Sequence, residues 1–137
     1  MRAAENTKVE IDKSSWPAGP WKDEPDRVEW RHNGLPCVIV RGRHRGVLCG
    51  YVGIPHGHPL HGLHWSDRAF HLLHEAAHGG VTATEPCGAI AGVCHVPEDG
   101  EDPDVWWVGF DCAHVGDFIP TGLGIRGFLP PFYKGED

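Results

Sequence analysis

The stretch Val28-Glu29-Trp30-Arg31-His32-Asn33-Gly34-Leu35-Pro36-Cys37-Val38-Ile39-Val40-Arg41 decides the fold class. Apolar and polar residues alternate through 28–32, the period of a half-buried strand. Asn33-Gly34 then supplies a two-residue hairpin turn, whose central positions both need positive φ. Residues 35–41 read as a buried strand. A basic turn, Arg41-Gly42-Arg43-His44-Arg45-Gly46, leads to a third strand at 47–52. The three make an antiparallel meander.

Further along, Ser66 or Asp67 can cap the N-terminus of a helix. The helix is expected over about 66–78, with an apolar stripe of Ala69, Leu72, Leu73 and Ala76, ending at Gly79-Gly80. Short strands follow at 81–84 and 89–96, and the strongest strand pattern lies at 104–110. That last strand is expected to pair with 89–96 across an acidic run (Glu98, Asp99, Glu101, Asp102, Asp104) read as a solvated turn. The fold class is therefore α+β: an antiparallel sheet of about five or six strands with one principal helix, rich in loops. Residues 1–15 read as a flexible arm and 16–137 as a single domain. Trp16 and Trp21, flanking a Pro/Gly turn, are expected to anchor the arm.

Composition narrows the function. The chain has 137 residues, 12 Lys+Arg against 19 Asp+Glu, and a formal charge of -7. That sign opposes general nucleic-acid binding. No apolar run is long enough to span a bilayer, and no signal-like segment opens the sequence. Five cysteines, an odd number without CxxC, argue against a disulfide framework and for a reducing compartment. Cys37, Cys49 and Cys94 read as buried thiols. Cys112 alone has polar, metal-type neighbours.

Histidine is the outlying residue type, with 11 copies, seven of them between 56 and 78. His74-Glu75-Ala76-Ala77-His78 matches H-E-x-x-H, in which two imidazoles one helical turn apart can share a cation beside a general base. Against it, Gly79-Gly80 ends the helix at once. A second candidate is Asp111-Cys112-Ala113-His114-Val115-Gly116-Asp117, at a strand end, where carboxylate and imidazole suit Zn, Mn or Fe. A capped turn explains the same residues. Arg41, Arg43 and Arg45 offer anion contacts or form a solvated hairpin tip. His32, His44, His64, His71 and His95 read as bystanders.

Four stretches resemble small proteins of actinobacterial phages and prophages: 16–21 (WPAGPW), 50–62 (GYVGIPHGHPLHG), 78–82 (HGGVT) and 106–117 (WWVGFDCAHVGD). The resemblance implies a phage product in the bacterial host cytoplasm and a shared site of His58, His61, His78, Asp111, His114 and Asp117. It does not extend to His74 and Glu75, and it implies no reaction.

Two functions follow as expectations. One is a metal-dependent hydrolase of a nucleotide-like or phosphorylated small molecule, holding Zn or another divalent transition metal through His58, His61, His74, His78, Asp111 and His114. Glu75 or Asp117 would be its general base. The other is a non-enzymatic accessory or anti-defence protein that binds a host protein or sequesters a small signalling molecule, any metal being structural.

Overall fold

The computed structural model describes residues 7–42 and 46–112. Five strands, β1 (Arg27–His32), β2 (Leu35–Arg41), β3 (Leu48–Ile54), β4 (Ala83–Pro86) and β5 (Trp106–Asp111), form one antiparallel sheet in the order β1-β2-β3-β5-β4. The β1–β2 turn is the expected one, with Asn33 at φ 52° and Gly34 at φ 79°. Among the described residues there is one short α-helix, α1 (His71–Ala76), which follows a 3-10 turn at Arg68–Phe70. The architecture is α+β and loop-rich, as the sequence pattern implies.

Three local expectations need correction. Residues 89–96 form turns rather than a strand. Gly92 takes φ 82°, and the Gly88 N–H donates to the Val93 carbonyl (3.0 Å), so the chain folds back on itself. β5 pairs instead with β3 and β4. Glycines opposite aromatic rings make that ladder compact: Tyr51 lies over Gly109 and Phe110 over Gly50, where a Cβ would collide with each ring.

Secondly, Cys87 and Cys94 form a disulfide across that same fold-back. Their Cα atoms are 4.7 Å apart, within bridging range. The odd cysteine count hid a single local pair, and the pairing removes the cysteine argument for a reducing compartment. Thirdly, the helix is shorter than expected and rotated. Asp67 does cap, its carboxylate accepting from the Ala69 N–H (2.9 Å). The inward residues are Phe70, Leu73, His74 and Ala77, while Leu72 is 74% exposed.

Each sheet face carries its own core. On one, Val38, Val40 and Trp107 pack with Val93 and Val105, under segment 87–96 and Val9. Arg27 and Arg31 of β1 hold that segment by donating to the carbonyls of Gly92, Cys94 and Val96. On the other, Ile54 and Val108 pack with Leu60, Phe70 and Val81, under the 55–64 loop and α1. Residues 7–15, expected as an arm, run against the domain. Lys13 Nζ donates to Trp21 O (2.6 Å) and pairs with Asp26 (2.7 Å). Trp16 and Trp21 are buried, as anchoring requires.

His95 is no surface bystander. It is fully buried, edge-on to Trp107 with ring centroids 5.7 Å apart, and among the described residues neither ring nitrogen finds a hydrogen-bond partner. Burial pushes its pKa below the ordinary 6.5. The unfolded chain therefore takes up a proton that the folded state refuses. Stability is full above about pH 6.5 and falls as the pH drops below it. His95→Phe is expected to flatten the fall in thermal midpoint between pH 7 and pH 5. An unchanged slope would refute the assignment. Glu101 and Asp102, held at about 2, lose their contributions only below that window.

Candidate functional site

The histidine-rich loop is ordered by turns at Gly57 and Gly62, both at positive φ. It is pinned to the acidic run. The backbone N–H and Nδ1 of His56 each lie 2.8 Å from Asp102 Oδ2, and His56 Nε2 is 3.4 Å from Asp104 Oδ2. The His61 ring lies 4.2 Å from the His56 ring, with Nε2 3.2 Å from the Asp104 carbonyl. Trp106 Nε1 donates to the Leu63 carbonyl (2.9 Å). The backbone N–H groups of His56 and Asp104 hold Asp102 at a pKa of about 2. The Arg31 guanidinium, bonded to both oxygens of Glu101 (2.8 Å each), does the same there. The acidic run is thus a fastening as well as a turn, and His56 is its centre, a residue outside the expected site.

The expected ligands are distributed differently. His58 Nδ1 accepts from the Leu60 N–H (3.1 Å). His74 faces inward: Nδ1 accepts from the Val81 N–H (3.0 Å), and Nε2 donates to the Trp65 carbonyl (2.9 Å). With both nitrogens engaged by the backbone, His74 has no lone pair left for a cation in this arrangement. Glu75 is exposed, with His71 Nε2 at 3.9 Å. The His78 ring is 6.5 Å from that of Phe110. Asp111 pairs across the ladder with Cys49, on the face opposite Phe110, with Thr82 Oγ1 at 3.5 Å.

Arg41 is buried, donating to Asp26, Glu24 and the Gly46 carbonyl rather than presenting its charge to an anion. Arg43, Arg45, His114 and Asp117 lie outside the described residues. Among the described residues, no group of three or more His, Cys, Asp or Glu side chains could hold a metal ion. Burial raises the Cys37 thiol and pushes Cys49 up to about 11, the reverse of an activated nucleophile.

What the fold does build is a cleft. Five strands at ~4.8 Å spacing make a sheet roughly 20 Å wide, whereas one helix with its side chains covers only ~10 Å. Leu73 of α1 and Ala77 just after it pack against the core that holds Ile54 of β3 and Val108 of β5, and among the described residues no helix covers the β1–β2 half of that face. Val28 and Trp30 remain 42% and 41% exposed. The resulting cleft measures about 440 Å³. Its floor is Trp30, Cys37, Ile39, Gly50, Val52 and Phe110. Its wall is Leu73, Ala76, Ala77 and Val81. A larger depression of about 630 Å³ lies over Ser66–Ala69, His71 and His74. Five of its six lining residues are polar or charged and its one inward imidazole is already bonded, so the apolar cleft is the better-built site.

Comparisons with protein-family models, with curated proteins and with solved structures give no match. Among the described residues no helix is long and apolar enough to cross a membrane.

Proposed function

We propose that this chain is a small phage accessory protein that acts inside its bacterial host by binding and sequestering a small molecule, without chemistry of its own. The observation that carries the reading is the apolar cleft between α1 and the uncovered half of the sheet. Its size falls in the range of small-molecule sites, roughly 300–1,000 Å³. The phage context rests on the resemblance of the four stretches at 16–21, 50–62, 78–82 and 106–117. Of the expected ligands, His74 has both ring nitrogens engaged by the backbone and so offers no lone pair to a cation, which favours binding over metal hydrolysis.

The test is a titration of ¹⁵N-labelled protein with protein-free extract of the bacterial host. Amide signals of Trp30, Ile39, Gly50, Ala76 and Phe110 are expected to shift, while those of His56 and Asp102 stay in place. Shifts confined to the histidine loop, or none at all, would sink the reading.

A further inference from the structure

We infer that the cleft takes an uncharged, apolar small molecule, and that Ala76 limits its size; the inference rests on the cleft being the binding site. Among the described residues, none of those lining it is charged. A phosphate, sulfonate or carboxylate drawn inside would give up water without gaining a cationic partner, a cost that an uncharged body escapes. The formal charge of -7 adds a long-range field that also disfavours anions. A nucleotide could enter only by leaving its phosphates outside.

The walls suit a ring or hydrocarbon body. The Trp30 indole stands on the open edge strand, and the Phe110 ring lies across Gly50 on the floor. Ala76 is the last residue of α1, exposed, and carries only a methyl group on the helix wall. A larger side chain there projects into the cleft without entering either core. Leu72 is more exposed and does not line the cleft, which makes it a control on the same helix.

The experiment uses two fluorescent probes of one shape. N-phenyl-1-naphthylamine is neutral, and 8-anilinonaphthalene-1-sulfonate carries a fixed negative charge. The neutral probe is expected to bind at one site per chain, about tenfold or more tighter than the sulfonate. Ala76→Phe should weaken it by about tenfold or more, and Leu72→Phe should leave it unchanged. Trp30→Ala, on the floor, is the second variant and should also weaken it; Trp30 is 41% exposed on an edge strand and belongs to neither buried core. Equal or tighter binding of the sulfonate overturns the inference and leaves the cleft as a binding site. Failure of both probes overturns the inference and the proposed function together. So does binding that ignores both Ala76→Phe and Trp30→Ala. If neutral-probe binding weakens as protein concentration rises and a dimer forms, a second copy is the occupant, and the inference falls.

Discussion

Replacing Trp107 with alanine is expected to lower the stability of the domain by about 3–5 kcal/mol. The indole is completely buried and belongs to the core formed with Val38, Val40, Val93 and Val105. Its neighbours come from β2, from the fold-back at 87–96 and from the segment entering β5. A cavity there would loosen three parts of the chain at once. The Cys87–Cys94 bridge stiffens one wall, which limits how far the site can collapse and keeps the cost high. The measurement is urea unfolding: the midpoint should drop with little change in slope. A loss under about 1 kcal/mol would mean that the core closes over the gap. Trp107→Phe separates two contributions. It keeps an aromatic ring but deletes an indole N–H that has no partner among the described residues. Losing an unsatisfied donor offsets part of the lost volume, so this variant should sit far closer to the parent.

Arg41→Met should cost about 3 kcal/mol, the low end of what removing one partner from a buried ion pair costs. Arg41 is 3% exposed, and its guanidinium works as a junction. Nε donates to Asp26 Oδ1 (3.1 Å), Nη1 to the Gly46 carbonyl (2.6 Å) and Nη2 to Glu24. The Trp16 ring lies 6.0 Å from Cζ. Methionine fills a similar volume but leaves the Gly46 carbonyl without that donor. Two features hold the loss below the top of the range. Asp26 keeps Lys13 at 2.7 Å, and Glu24 is half exposed, so water can solvate it. Arg41→Lys keeps the charge but not the planar fork, and it should fall between the two. A denaturation series on the three proteins checks the order. Equal stability of Arg41→Met and the parent would show that the junction contributes nothing.

Much of the fold was legible because it is local. Asn33-Gly34 and the alternation through 28–41 located the first hairpin without any knowledge of the rest. Asp67 was readable as a cap for the same reason. The failures share a different cause. Residues 89–96 have the small apolar side chains of a strand, yet Gly92 at positive φ and the Cys87–Cys94 bridge turn them back. Neither constraint shows in a local pattern. The helix stripe came out rotated because Phe70 and His74, not Ala69 and Leu72, face the sheet. In sequence, His74 looks like one half of a metal pair. In the fold its ring closes the helix end onto Trp65 and Val81. His56 was passed over because its meaning depends on Asp102, far along the chain. Among the described residues one short helix is too narrow to roof five strands, which accounts for the cleft. Its lining residues were not legible, because they come from separate elements whose register only the folded sheet supplies.

The strand order has a kinetic consequence. β1, β2 and β3 can form by successive hairpin closures, each bringing together near neighbours. β5 cannot: it must find β3 across most of the domain, so that Cys49 meets Asp111 and Ile54 meets Trp106. Such distant closure carries its entropy cost before any contact rewards it. Until β5 arrives, β3 presents a bare edge, with Tyr51 waiting for the glycine that it will cover. Among the strand pairings of the sheet, that of β5 with β3 closes the longest stretch of chain, and it is expected to form last. A chain interrupted before Trp106 would leave that edge open to a neighbour.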